Sequence, residues 1–405
     1  MRRVVNIVGL AFLLSLAGCG TTDEPAANAV PDAPGDTASG PDVATDSTPD
    51  TTQPEPDVEA VGILQLTIDG PDDEALQTVI WYPAMHAPTN RAPYLWLGVI
   101  QGQGFVEIPA APGPWPVVLF SHGSQAVNFQ SVDLVEAWVR AGWIVIAPSH
   151  NGNTLFDNDK EKLAAVGTRR PRDLAAALVA LEDLNDEPGG ILEDRADLSR
   201  LAVAGHSFGA FTSLVVGGVQ IDVDGARARC DAGDDLKGAC GVVETLEGPL
   251  HDARPASLAG VKAAIALSPA VWGLFGESGS AKADMPIFIA SGTQDTVTPQ
   301  AEHANQIYAA LPSPKAHAVF PNAGHYAFSN FCDIPDIETL TKGVIAECGE
   351  GWIGHQEAMR MTAEMTILWL DAWVSDNPEA LEELRQRGVA DWAPDATVEL
   401  DAPAD

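Results

Sequence analysis

Positive charge is what this sequence most lacks. Its 405 residues hold 22 Lys and Arg against 57 Asp and Glu, a formal net charge of −35. That balance excludes nucleic acid as a partner, because phosphate backbones are held by cations. It also argues against a polyanionic substrate, and it fits a soluble, self-repelling surface outside the cytoplasm. The acidic clusters read as solvated faces with no chemistry of their own. No internal repeat is visible, which removes solenoid architectures. The cysteines form no C-x-x-C pair and no paired histidines accompany them, so a zinc site is not expected. The N-terminal apolar run, Val4 to Leu16, is too short to span a bilayer.

What is present begins with that run. Arg2 and Arg3 precede it, and Leu16-Ala17-Gly18-Cys19 follows. A basic n-region, a short apolar h-region and small residues form a targeting segment, residues 1–18. The last four residues resemble the lipobox of bacterial lipoproteins, which implies that Cys19 is lipidated and heads the mature chain. The membrane is then reached through acyl chains alone. By the same resemblance, Gly20 after the cysteine favours the outer membrane. The competing reading is an ordinary signal peptide and a secreted product. Residues 19–58 are rich in Pro, Asp, Thr, Ala and Ser and hold no Lys, Arg or aromatic residue. They cannot bury enough apolar surface to offset their ordering entropy and read as a disordered spacer.

With Cys19 set aside, Cys230, Cys240, Cys332 and Cys348 remain. An even number outside the cytoplasm predicts two disulfides, with three connectivities open. The local pairs, Cys230 with Cys240 and Cys332 with Cys348, are expected because each would staple one loop; free buried thiols are the alternative.

The folded domain is expected over 59–405. Two strands, Val61 to Ile68 and Leu76 to Tyr82, flank a turn, and residues 84 to 114 form a long irregular excursion. Apolar strands are then predicted at Trp115 to Phe120, Trp143 to Ala147, Leu201 to Ala204, Val261 to Leu267, Pro286 to Ala290 and Ala316 to Phe320. Amphipathic helices alternate with them, at Phe129 to Ala141, Thr168 to Leu184, Ala301 to Leu311 and Gln356 to Val374. Continuous apolar strands alternating with helices indicate an α/β fold, a mostly parallel sheet covered on both faces. The acidic, Gly-rich stretch 219–258 breaks this pattern and is expected as an inserted lid. Its Asp222-Val223-Asp224-Gly225 and Asp231 to Asp235 lack the spacing of an EF-hand loop. The tail after Asp376 is acidic and expected to be loose.

The chemistry centres on Leu201 to Phe211. A β-forming run ends at Gly205, Ser207 follows, then Gly209 and a small-residue helix start. This is G-x-S-x-G between strand and helix, the setting of a nucleophile elbow. The serine must be held in a strained conformation, and a Cβ at either flanking position would collide with a neighbouring element. Ser207, Asp295 and His325 follow one another in the chain, each just past a predicted parallel strand, the edge where open α/β sheets carry their chemistry.

These residues resemble the α/β-hydrolase superfamily from about Val61 to Val374. Within it, the chain is similar to bacterial dienelactone-hydrolase-like and platelet-activating-factor-acetylhydrolase-like (cutinase-like) serine esterases. The carrying motifs are Trp81-Tyr82-Pro83, Phe120-Ser121-His122-Gly123, Gly205-His206-Ser207-Phe208-Gly209, Ser291-Gly292-Thr293-Gln294-Asp295 and Gly324-His325. The resemblance implies a Ser207–His325–Asp295 triad cleaving carboxylic esters through an acyl-enzyme. It also implies an oxyanion hole from the backbone N–H groups of Phe208 and Ser124. One departure stands out. Mammalian acetylhydrolases carry their acid after the strand that follows the elbow helix, where this chain reads Leu267-Ser268-Pro269. The acid is therefore Asp295, which weighs against a phospholipid substrate.

The remaining expectations are smaller. His122 and His206 are read as supporting residues, and His150 as either supporting or catalytic. Ser268 is expected to be a satisfied hydroxyl. Trp272, Phe275, Tyr326, Phe328 and Phe331 are candidates for pocket lining or for core. No metal and no cofactor are expected, and the partners are an ester substrate and the membrane through its anchor. A monomer is expected. Lipase-like and polyester-cleaving activities on the same triad are alternatives, as is a non-catalytic envelope lipoprotein.

Overall fold

The sheet is built from runs that alternate side chains between two cores. Val118 and Phe120 of one strand pack into the first core, whereas Val117 and Leu119 pack into the second. The same alternation places Ala202 and Ala204 opposite Leu201 and Val203. This is why the strands read as unbroken apolar runs: both faces are covered.

The computed structural model describes residues 58–403, apart from 97, 160–162, 235, 237–239, 247–253, 342, 344, 391, 393 and 394. The expected targeting segment 1–18, Cys19, and the expected spacer as far as residue 57 lie outside the described residues, as does part of 219–258.

The strands are β1 (Ala60–Asp69), β2 (Ala75–Ala84), β3 (Leu95–Trp96), β4 (Ile100–Gln101), β5 (Phe105–Val106), β6 (Trp115–Ser121), β7 (Ile144–Pro148), β8 (Ala196–His206), β9 (Val261–Leu267), β10 (Ile287–Gly292), β11 (Lys315–Phe320) and β12 (Thr397–Asp401). Ten of them form one sheet in the order β12-β11-β10-β9-β8-β6-β7-β2-β1-β5, and β3 and β4 pair separately. The run from β7 to β11 is parallel throughout. β2 joins β7 antiparallel, and β12 joins β11 antiparallel.

The helices are α1 (Val132–Arg140), α2 (Leu163–Asn185), α3 (Phe208–Val216), α4 (Val223–Asp231), α5 (Cys240–Thr245), α6 (Trp272–Ser280), α7 (Ala304–Ala310), α8 (Ile337–Leu340), α9 (His355–Trp373) and α10 (Pro378–Ala390). α1 and α9 contribute Trp138 and Trp369 to one core; α2 and α3 contribute Leu174, Leu181 and Phe211 to the other. α2 begins earlier than its apolar stripe predicts and runs through Pro171.

The tail is not loose. α10 buries Leu381 and Leu384 in the first core, the link to β12 buries Trp392 and Ala396 there, and Val398 of β12 pairs with Ala318 of β11. Sparse apolar residues among many charges suffice there, because an edge strand needs backbone pairing more than side-chain burial. In the stretch 219–258, α4 and α5 are joined by the Cys230–Cys240 disulfide, and Cys332 is joined to Cys348.

Candidate active site

β8 is central in the sheet, and Ser207 sits at its C-terminal end with φ 56° and ψ −116°. A non-glycine residue there costs about 1–3 kcal/mol, sustained only by surroundings that over-determine it. They do so in two ways. Ser207 N donates to Leu267 O of β9 at 2.8 Å. A Cβ on Gly205 would lie 2.8 Å from Ser121 O, and one on Gly209 would overlap that same oxygen. Both glycines are thus fixed by close backbone approach.

His325 and Asp295 follow β11 and β10. His325 Nδ1 lies 2.9 Å from Asp295 Oδ2. The other carboxylate oxygen, Oδ1, accepts from the N–H groups of Val297 and Thr298 at 2.9 and 2.7 Å. The Thr298 hydroxyl donates to Oδ2 at 2.8 Å. Burial by itself would raise the Asp295 pKa, but the bond and charge of His325 and the Thr298 donors hold the carboxyl below its usual range. The pair is buried. His206, the residue before Ser207, bonds His325 O through Nε2 at 2.8 Å and packs ring to ring at 4.8 Å. The His325 ring bonds Asp295 and Thr298 through Nδ1, and Ser207 Oγ is not among the ring's hydrogen-bond partners in the described residues. Since Nδ1 is committed to Asp295, Nε2 is the ring nitrogen left to exchange a proton.

Ser124 lies on the loop after β6. Gly123 N donates to Gln130 Oε1 at 2.6 Å, and Gln130 Nε2 bonds His206 Nδ1. With the Gly123 N–H committed, the next N–H along the loop is that of Ser124. Phe208 is the first residue of α3, where helical N–H groups have no carbonyl to meet within the helix.

His122, His150 and His206 all support this frame. His150 N donates to His122 Nε2 at 3.0 Å, so His122 carries its proton on Nδ1 and gives it to Gly123 O at 2.7 Å. His150 bridges Ser121 Oγ and Asp173 Oδ2, both at 2.8 Å. Burial pushes the pKa of His122 and His150 well below the usual histidine value, and takes His206 down to about 3. All three are buried neutral rings. Ser268 departs from expectation: its buried Oγ has no partner among the described residues, although its backbone N donates to Ala290 O at 2.7 Å. Its φ of 44° fits a hydroxyl whose direction is set by a tight turn. Phe275 and Phe328 are core, against Phe211 and Phe320; Trp272, Tyr326 and Phe331 are partly exposed.

Sequence reasoning missed Thr298, Gln130, Asn153, Arg170, Asp173 and Glu347. Thr298 alone had a local signal, three residues after Asp295; the burial of Arg170 leaves no mark in the sequence. For metals, the side chains of Asp133, Asp333 and His355 approach one another among the described residues. His355 and Asn330 already hold the Asp333 carboxylate at 2.8 and 2.7 Å. In the acidic stretch 219–258, Asp222 Oδ1 caps α4 by accepting from Gly225 N.

A model of the chlorophyllase family matches residues 103–224, the segment from before β6 to the start of α4. No curated protein sequence matches. Among solved structures, a ferulic acid esterase from Streptomyces cinnamoneus matches with a TM-score of 0.57 at 20% identity, covering 84% of this chain and 95% of that chain. At that identity the likeness speaks for architecture: the chain has the α/β-hydrolase fold.

Proposed function

We propose that this chain is a serine hydrolase of carboxylic esters, working through Ser207, His325 and Asp295 and held at the cell envelope by lipid on Cys19. The observation that carries the reading is the strained Ser207 at the β8–α3 turn beside a buried His325–Asp295 pair. The likeness to a protein named an esterase runs in the same direction.

The chemistry follows from the residue types. Ser207 Oγ attacks the ester carbonyl carbon while His325 Nε2 takes its proton. Asp295 holds the imidazole through Nδ1 and stabilises the imidazolium. The negative oxygen of the tetrahedral intermediate is received by the N–H groups of Phe208 and Ser124. Collapse breaks the ester C–O bond, and His325 returns the proton to the leaving alkoxide. Water, deprotonated by His325, then attacks the acyl-serine, releasing the acid and restoring the serine.

The substrate class is a small or medium neutral ester: the acidic surface opposes polyanions. The subfamily reading stays with dienelactone-hydrolase-like and cutinase-like enzymes, because the acid follows β10 rather than β9. Residues 219–258 are read as the lid.

The test uses the purified protein with a fluorophosphonate probe, peptide mapping, and p-nitrophenyl acetate, butyrate and octanoate, alongside Ser207→Ala. Labelling at Ser207 and loss of turnover by at least about 10⁴-fold in the variant are expected. A folded protein with neither labelling nor turnover would return the weight to a non-catalytic lipoprotein.

A further inference from the structure

We propose that Arg170 is the positioning residue of the oxyanion hole: its guanidinium fixes and polarises the Gly123–Ser124 peptide and braces Phe208, so that both donors hold their place. The inference rests on the serine-hydrolase reading above and goes beyond it to a residue outside the triad.

Arg170 lies on α2 and is 0% exposed. Burying a cation is costly unless its N–H groups are met. A buried arginine ordinarily spends its fork on a carboxylate. Here the fork is spent on neutral oxygens at the end of β6 and on the loops after β6 and β7. Nη1 donates to His122 O at 2.5 Å, and Nη2 to Gly123 O at 3.3 Å and to Asn153 Oδ1 at 2.7 Å. Nη1 also reaches Ser121 Oγ at 3.4 Å, while Nε has no partner among the described residues. Asn153 in turn donates to Ser124 Oγ at 3.0 Å. The nearby carboxylate, Asp173, is bonded to His150 instead.

The target carbonyl matters. In a trans peptide, C=O and the following N–H point in opposite directions. Gly123 O and Ser124 N–H belong to one peptide unit. Three donors hold that oxygen: His122 Nδ1 at 2.7 Å, Ala126 N at 3.3 Å and Arg170 Nη2 at 3.3 Å. They therefore aim the Ser124 N–H away from α2. A positive charge on the carbonyl side draws electron density from the N–H and strengthens it as a donor.

The same guanidinium lies 4.4 Å over the Phe208 ring, a cation–π distance. Phe208 carries the other donor. One buried side chain thus touches Phe208 directly and the Gly123–Ser124 peptide through its carbonyl, while remaining remote in sequence from both. Burial pushes the Arg170 pKa down to about 9, which leaves it charged at neutral pH.

The test compares Arg170→Gln, Arg170→Lys and the exposed control Arg172→Gln, whose side chain is bonded to Asp72 among the described residues. Arg170→Gln should lower kcat about 10²-fold, the scale of a lost or misplaced oxyanion donor, with KM within about threefold. Affinity for a trifluoromethyl ketone, whose tetrahedral adduct places an oxyanion in the hole, should fall in step with kcat. Arg170→Lys should fall between, since a point charge cannot meet both carbonyls. Arg172→Gln should match the wild type. A role confined to stability would lower the unfolding temperature and leave kcat and ketone affinity intact; that result overturns the proposal. If Arg170→Gln does not fold, His122→Asn removes another donor to Gly123 O and should give the same signature at smaller size; unchanged kcat there overturns it equally. A wild type that neither labels at Ser207 nor turns over esters defeats the underlying reading, whereas an active wild type with indifferent variants defeats this inference alone.

Discussion

The serine side and the histidine side of the site are held by different forces. On the serine side, β6, β8, α2 and α3 pack so closely that glycine is required, and buried polar groups fill what remains: His122, His150, His206, Arg170 and Gln130. On the histidine side the chain leaves β11 and does not return to regular structure of any length until α9 at His355. That excursion is fastened by the Cys332–Cys348 bridge, by His355 on Asp333 at 2.8 Å, and by Glu347 Oε1 accepting from Tyr326 N at 2.9 Å. Where a strand passes straight into a helix, packing fixes the serine. Where it passes into a long loop, the loop's entropy must be offset by cross-links. The two sides meet at Gln130, whose side chain serves the serine half and whose carbonyl accepts from Asn330 N at 2.8 Å.

A matched pair of glycine substitutions breaks the comparison most sharply. A methyl at position 209 would collide with the backbone of β6, which cannot yield, so Gly209→Ala should cost about 3 kcal/mol or more and abolish turnover. A methyl at position 324 would collide with the Glu347 carboxylate, the end of a side chain that can swing aside. Gly324→Ala should therefore cost about 1 kcal/mol and retain measurable activity. Urea unfolding and p-nitrophenyl butyrate turnover check both; equal losses would mean that the loop is as rigid as the sheet.

Acid should attack the serine side first. On the serine side, His122 and His150 have pKa values well below the usual histidine value and His206 is depressed to about 3; on β11, His317 is depressed to about 4, and burial leads all four shifts. In the unfolded chain these rings protonate near pH 6.5, whereas the folded protein resists. Unfolding therefore takes up protons, and stability falls as pH drops below 7. Asp173 opposes this, because burial raises it to about 7 and the folded state takes a proton there. Burial also raises Asp133, Glu136 and Glu347, by less. Four rings against one carboxyl near pH 6 leave a slope on the order of 3 kcal/mol per pH unit. Asp295 adds nothing in that window: its pKa is lowered, so its contribution is lost only as pH falls below about 4. Unfolding midpoints from pH 8 to 5 test this, and a flat profile would mean that the buried rings are hydrated.

Reductant should attack the histidine side. Replacing Cys332 and Cys348 by Ser frees a 16-residue separation and should cost about 3 kcal/mol, with loss of turnover. Replacing Cys230 and Cys240 should cost less stability and leave kcat within about twofold, because that bridge joins α4 to α5. Loss of turnover in the second variant, with the first unaffected, would reverse the assignment.

The sequence carried the elbow and the positions of Ser207, Asp295 and His325 because each is a local demand at a strand end: two glycines, a strained serine, a turn. Alternation of cores made the parallel strands legible for the same reason. Arg170 and Gln130 were invisible because their partners, Gly123 and His206, lie 47 and 76 residues away, and nothing in a helix's periodicity marks a side chain that crosses to another loop. The tail misled because α10 and β12 bury few apolar groups among many charges, and edge pairing leaves no compositional trace.

The smallest effect tests whether Glu347 positions His325 or merely fills space. Its carboxylate accepts the Tyr326 N–H one residue beyond the imidazole, and Cys348 anchors its backbone. Burial raises its pKa, so holding it charged costs stability as pH rises through that value. Glu347→Gln keeps an acceptor oxygen without the charge. It should leave kcat within about threefold and make the protein slightly more stable at pH 8 than the wild type. Glu347→Ala leaves the Tyr326 N–H unmet and should lower kcat about tenfold with KM unchanged. Steady-state kinetics and urea midpoints at pH 8 read both at once. If the two variants are equally active, the disulfide alone places the histidine turn, and the contrast between the two sides reduces to packing against a single covalent cross-link.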